Sequence, residues 1–167
     1  MLIVLEGCDG TGKTTLAHNL SKMLGAEIIH CTTDTPNTSW FFRDIIEMAR
    51  TRNIIADRFC YGQFVYQSAD ERQLTKRDLY DLELAMLNTG ARVVYVDCDE
   101  QVLNARLAAR NEVPMKPIRQ LKDGYLKIFS DSLLKIAVVD TTKSTDSYVM
   151  TFNKTRAKEI LEGRESV

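Results

Sequence analysis

The stretch Gly7-Cys8-Asp9-Gly10-Thr11-Gly12-Lys13-Thr14-Thr15 decides how this chain is read. It follows the apolar run Leu2-Ile3-Val4-Leu5 and opens a segment in which Leu16, Leu20, Met23 and Leu24 recur at helical spacing, with Gly25 as a stop signal. Gly7, Gly10 and Gly12 permit sharp backbone turns that aim successive N–H groups at one point, turns that a side chain would obstruct. Lys13 supplies a cation for the β- and γ-phosphates and Thr14 a hydroxyl for a magnesium ion, while the helix they open adds its positive dipole end. The whole reads as a loop that grips the phosphates of a nucleoside triphosphate. It leaves open whether the triphosphate is hydrolysed, as in a switch or motor, or gives its phosphoryl group to a second small molecule.

Outward from the loop, short apolar runs predict five buried strands: Leu2 to Leu5, Glu27 to His30, Asn53 to Ala56, Arg92 to Val96 and Lys135 to Val139. Helical patterns lie between them. They run from Lys13 to about Leu24, from Thr38 to Arg50, in two stretches between Cys60 and Asn88, and from Asp99 to Arg110. The second stretch is expected to open at Thr75, with Asp78 three residues on, and to close at Thr89-Gly90. Pro114 and Pro117 break the pattern over 111–119, a candidate mobile flap, before helical character resumes at Gln120 to Ser130 and about Thr145 to Leu161. Such alternation needs right-handed crossovers, so the expectation is an α/β fold: a parallel sheet covered on both faces, with ligands at the carboxyl ends of its strands.

A chain of 167 residues suits a single domain, 1–167. The net charge of -1 creates no field that would gather nucleic acid or an anionic membrane, so neither is expected as a partner. No apolar run approaches the roughly 20 residues that span a bilayer, and no charged-then-apolar signal segment opens the sequence, so a cytoplasmic location is expected. Cys8, Cys31, Cys60 and Cys98 are widely spaced and form no zinc-type pair, which marks them as reduced thiols.

The block Leu5-Glu6-Gly7-Cys8-Asp9-Gly10-Thr11-Gly12-Lys13-Thr14-Thr15 resembles the opening of thymidylate kinases, whose loops typically read (F/I)EGxDGxGKTT. Asp57-Arg58-Phe59-Cys60-Tyr61-Gly62-Gln63-Phe64-Val65-Tyr66-Gln67 is similar to that family's DRYxxSxxAYQ element. Tyr95-Val96-Asp97-Cys98-Asp99 with Arg106 and Arg110 resembles its fourth strand and the arginine-bearing helix before its lid, and Gly124-Tyr125-Leu126 the helix after it. The resemblance covers most of the chain from Met1 to about Val139. It implies a three-layer P-loop kinase fold, a five-stranded parallel sheet with helices on both faces and a short lid at about 111–119. It also implies ATP-dependent phosphorylation of a pyrimidine deoxynucleoside monophosphate, most readily dTMP, with Mg2+ accompanying ATP, and a homodimer.

By the same resemblance, Gly7, Asp9, Gly10, Thr11, Gly12, Lys13, Thr14, Thr15, Arg106 and Arg110 would bind ATP. Asp9, Trp40, Arg43, Arg58, Gln63 and Tyr66 would bind the acceptor, Thr14 and Asp57 would hold the metal, and Lys13, Asp57, Arg58 and Arg110 would carry catalysis. Asp9 would meet the acceptor's 3'-hydroxyl, Gln63 the base edge, and Tyr66 the sugar. Because Gly10 takes a position where some family members carry a cation, the missing charge would come from Arg106, Arg110, Lys116 or Arg119, with Arg110 foremost.

The match also departs from the family. Lys116 stands where an arginine is expected, and lacks its bidentate fork. Gly62 replaces the usual serine and Val65 the usual alanine, and the family's second-strand REPG segment and its base-reading helix are missing. Thr38 to Arg43 stands nearby. On a helix Phe42, Ile45, Ile46 and Ala49 would form one apolar face and leave Trp40 and Arg43 on another, where they could meet a ligand. A deoxynucleoside kinase, a kinase of another small metabolite and a nucleotide-dependent switch remain as alternatives.

Overall fold

The computed structural model describes residues 1–143; the helix expected at about Thr145 to Leu161 lies outside them. Five strands, β1 (Leu2–Glu6), β2 (Glu27–His30), β3 (Ile54–Asp57), β4 (Arg92–Asp97) and β5 (Ile136–Asp140), form one parallel sheet in the order β2-β3-β1-β4-β5. β1 lies at the centre, between β3 and β4. The chain turns one way from β1 to reach β2 and β3 and the other way to reach β4 and β5. The crevice at β1's carboxyl end is therefore the point where an open parallel sheet receives ligands.

Side chains alternate across the sheet with the strand period of two. Leu2, Val4, Ile54, Ala56, Val93 and Tyr95 enter a core on one face, and Ile3, Leu5, Ile55, Val94 and Val96 enter a core on the other. Leu16, Ala17 and Leu20 of α1 (Lys13–Leu24) cover the second face. The first face is covered from α2 (Ser39–Met48), α3 (Tyr61–Tyr66), α4 (Lys76–Asn88), α5 (Glu100–Ala109) and α6 (Ile118–Ser130). Each fully buried Leu, Ile or Phe contributes about 1.5–3 kcal/mol. Phe42, Ile45 and Ile46 are the buried face of α2, continued by its buried C-cap Ala49, as their spacing predicts.

The helix ends follow local chemistry. Thr75 accepts from the Asp78 N–H while Asp78 accepts from the Thr75 N–H, a complete capping box at α4. Asp99 caps α5 by accepting from Gln101 N–H and Val102 N–H. The expected break is shorter than 111–119, because α6 begins at Ile118 directly after Pro117, a residue suited to a helix start. Arg119 therefore belongs to α6. Among the described residues no helix is long and apolar enough to cross a membrane, and the four cysteines are free and buried.

Candidate active site

The phosphate loop turns between β1 and α1. Gly7 has φ 146, and a Cβ there would lie 2.3 Å from the Val96 carbonyl oxygen, so only glycine lets the loop leave β1 this close to β4. Gly12, at φ 91, is the N-cap of α1. Thr11 braces the loop by donating its hydroxyl to Cys8 O at 2.9 Å, and Thr141 donates to Thr11 O at 2.7 Å.

Lys13 is buried, and its ammonium donates to Gly7 O at 2.8 Å and Cys8 O at 2.6 Å. Burial, and secondarily the Arg58 charge, lowers its pKa to about 8. Beneath it Glu6 is wholly buried, accepting from Phe59 N–H at 2.9 Å and from the Tyr125 hydroxyl at 3.1 Å. Burial raises the Glu6 pKa, with Lys13 pulling against it. Glu6 thus ties the loop's root to the β3 exit and to α6.

Thr14 faces the end of β3, where its hydroxyl donates to Asp57 Oδ2 at 2.7 Å. Asp57 is buried and its other oxygen, Oδ1, has no hydrogen-bond partner. His30 Nδ1 lies 3.0 Å from the same Oδ2 that Thr14 contacts. The next residue, Arg58, has φ 71, a left-handed conformation that is costly for a side chain with a Cβ. Its N–H donates to Leu5 O at 2.9 Å, which holds this turn against β1, and its guanidinium pairs with the Asp9 carboxylate of the phosphate loop. Burial pulls the Arg58 pKa down most strongly, but Asp9, with Tyr66, Tyr125 and Glu6 behind it, together outweighs burial and the net shift is upward. Tyr66 points a buried hydroxyl without a partner, its pKa pushed up first by burial and then by Asp9.

Asp9, Gly10, Gly12, Lys13, Thr14 and Thr15 line one cleft of about 460 Å³, together with Arg58 and Arg110. Leu107 of α5 and Glu112, Val113 and Pro114 of the lid segment complete the lining, so the lid segment and the phosphate loop face one cleft. Val113 and Met115 of that segment are among the most exposed apolar side chains described.

The remaining sequence candidates fall elsewhere. Arg106 does not share the cleft with Arg110. Its guanidinium donates to Thr141 O at 2.8 Å and Thr141 Oγ1 at 3.2 Å and reaches Cys98 Sγ at 3.3 Å, so it pins α5 to the loop after β5. A contact of 3.5 Å to Gly10 O extends this brace to the phosphate loop. Lys116 donates to Val65 O at 2.9 Å and so anchors the lid to α3. Gln63 is buried with both ends of its amide engaged, donating to Asn37 O at 2.5 Å and accepting from Gln73 N–H at 3.1 Å. It clamps the β2–α2 turn, itself closed by Asn37 Nδ2 donating to Thr32 O and Thr35 O. Trp40 is exposed and meets Phe41 edge-on, and Arg43 lies near enough to Asp78 of α4 to help lower its pKa, after the Thr75 hydrogen bonds and Ser39. Neither lines the cleft.

Two groups escaped the sequence reading. His30 ends β2, whose pattern suggests only a buried strand, and becomes legible once the parallel register places it beside Asp57. Lys122 of α6 pairs with Asp97 at 2.9 Å and donates to Cys98 O at 2.8 Å, which ties the far end of the lid to β4. Its distance from Asp97 in sequence left no signal.

No family model matches the chain. The SPbeta prophage-derived uncharacterized protein YorR of Bacillus subtilis is 32% identical, over 84% of this chain and 88% of its own length. The chain belongs to the YorR family. The crystal structure of YorR from B. subtilis, in complex with phosphorylated GDP, superposes with a TM-score of 0.78 at 28% identity over 100% of both chains. A probable thymidylate kinase of Methanocaldococcus jannaschii is 28% identical over 87% of this chain and 89% of its own length. A deoxyadenosine kinase from M. mycoides with bound dCTP matches with a TM-score of 0.61 at 19% identity, covering 96% of this chain and 100% of that one, a likeness of fold. This YorR-family chain thus carries the five-stranded parallel fold of P-loop nucleotide kinases.

Proposed function

We propose that this protein is an ATP-dependent deoxynucleoside monophosphate kinase that moves the γ-phosphoryl group of ATP to a pyrimidine acceptor, dTMP foremost, giving the diphosphate. The observation that carries this reading is Arg58, held in a left-handed turn against Asp9 on the wall of the cleft that Lys13 and Thr14 line. A nucleotide switch has use for one set of phosphate-binding groups. A second cation, positioned by a costly backbone conformation, suits a second anion.

On this reading ATP's phosphates lie against the loop N–H groups and Lys13, and the acceptor's phosphate against Arg58, with Arg110 entering from the lid side. Transfer between two polyanions depends mostly on position and charge neutralisation, and these cations converge on one cleft. Lys13 leaves the Gly7 and Cys8 carbonyls to meet phosphate oxygens, a move favoured because a buried ammonium regains a full countercharge. Asp57 and Thr14 fit a magnesium ion. The Thr14 proton is committed to Asp57, which leaves the hydroxyl's lone pairs open, and Asp57 Oδ1 is a buried, unpartnered hard oxygen. When bound there, the ion would neutralise charge on the β- and γ-phosphates. Tyr66, with its unpartnered hydroxyl, would face the acceptor's sugar, while Gln63 would shape the base pocket indirectly through Asn37.

A coupled ADP-release assay across the nucleoside monophosphates tests the proposal, with dTMP expected to stimulate release most. Release that no monophosphate stimulates would remove it. A second reading has support in the guanine nucleotide bound to YorR: a purine monophosphate as acceptor. The same assay ranks the bases. Activity on nucleosides but not on monophosphates would instead mark a deoxynucleoside kinase. Association as a homodimer is supported by Tyr80, Leu84 and Leu87, exposed along one stripe of α4, and light scattering measures it.

A further inference from the structure

We propose that His30 is a positioning residue for Asp57, fixing which carboxylate oxygen faces the metal and phosphates; this rests on the kinase reading of the cleft. The β2–β3 register sets His30 directly beside Asp57 at the carboxyl ends of both strands. An ionised carboxylate only accepts, so the 3.0 Å contact is donated by Nδ1–H. Thr14 donates to the same oxygen from α1 at 2.7 Å.

The torsion that turns a carboxylate has a broad, roughly two-fold profile, so one hydrogen bond leaves its plane loosely defined. Two donors from different elements on one oxygen fix the plane. They saturate Oδ2 and leave Oδ1 bare while Asp57 stays buried. The His30 side chain is 47% exposed and meets the His18 ring of α1 only at a tilted 6.3 Å, so the ring adds little to the core and its hydrogen bond goes to Asp57. The arrangement has the form of an outer partner that orients a ligand, whose loss commonly costs about 10- to 100-fold in metal affinity or activity.

The test uses the full chain with Mn2+ as a spectroscopic stand-in for Mg2+. In His30→Ala, electron paramagnetic resonance should show Mn2+ bound about tenfold more weakly to the protein–ATP complex. The kcat should fall by a similar factor, with KM for ATP and the melting temperature unchanged. His30→Asn, whose amide can donate from a similar position, should recover most of both losses. Unchanged Mn2+ affinity in His30→Ala would overturn the assignment. So would an Asn variant as impaired as the Ala variant with an equally lowered melting temperature. The Mn2+ titration needs no acceptor, so it decides the role of His30 even if no monophosphate is phosphorylated and the kinase reading fails.

Discussion

The floor and the rim of the cleft hold their charged groups in opposite ways. On the floor, Lys13 and Arg58, with Asp57 buried behind Thr14, are all bound to protein partners: Lys13 by carbonyls, Arg58 by Asp9, and Asp57 by Thr14 and His30. On the rim, Arg110 ends α5 at the cleft mouth, and the segment after it carries the exposed Val113 and Met115. The floor is preorganised at a cost in burial and backbone strain. Side chains fasten the rim by Arg106 to Thr141 before it, by Lys116 to Val65 within it and by Lys122 to Asp97 after it. This division suits a reaction in which one polyanion must be gripped and a second admitted and released.

The sharpest way to break this contrast is Lys13→Met. With its central cation gone the floor should lose about 10³-fold or more in turnover while the far-ultraviolet circular dichroism stays native. A near-normal rate would mean that the floor does not act through Lys13. The same pair of proteins carries a pH signature. The Lys13 pKa is lowered in the folded state to about 8, so between about pH 8 and the unfolded value of 10.5 the unfolded chain binds more protons. Stability of the native protein should therefore rise with pH across that window relative to Lys13→Met, by an order of 3 kcal/mol, as read by urea unfolding. A constant difference would contradict the burial of a charged lysine.

Arg58→Ala should come next, raising the acceptor KM by about 10- to 100-fold while the KM for ATP changes far less. Equal weakening of both would make Arg58 a structural partner of Asp9 and nothing more. The rim is sharpened by a pair of variants on one helix. Arg110→Ala is expected to lower kcat about 10-fold without loss of stability. Arg106→Ala should cost about 1–3 kcal/mol of stability, because it strips hydrogen bonds from Thr141 and the phosphate loop. Thermal melts and steady-state rates on both variants separate the roles, and a reversed pattern would exchange them. The smallest effect is expected for Glu6→Gln. The amide keeps the Phe59 contact and removes a buried charge, so stability at pH 7 should change by less than about 1 kcal/mol.

The floor was legible in the sequence because its chemistry is local. Glycines, lysine and threonine follow one another in the loop, and Asp57-Arg58 sits at the end of an apolar run. The strands were legible as apolar runs, but only the central ones, such as Ile54-Ile55-Ala56, are buried on both faces; β2 and β5, expected to be buried too, lie at the sheet edges and stay partly exposed. What the sequence could not convey were side-chain partners set by tertiary packing. Arg106 and Arg110 share a helical face by spacing, yet Thr141, 35 residues further on, captures only Arg106. Gln63 fitted a base-reading role by its place in the motif, but both ends of its amide go to the backbone of Asn37 and Gln73. His30 had no signal until register placed it beside Asp57.

The most direct measurement of the two-anion account is calorimetry with a bisubstrate compound, adenosine and thymidine joined through their 5' positions by five phosphates. If floor and rim form one site for donor and acceptor, the compound should bind once per chain and at least about 100-fold more tightly than ATP or dTMP alone, because the second half binds intramolecularly. Arg58→Ala should remove most of that gain. Binding no tighter than ATP, and indifferent to Arg58→Ala, would contradict the account and leave the cleft as a site for one nucleotide.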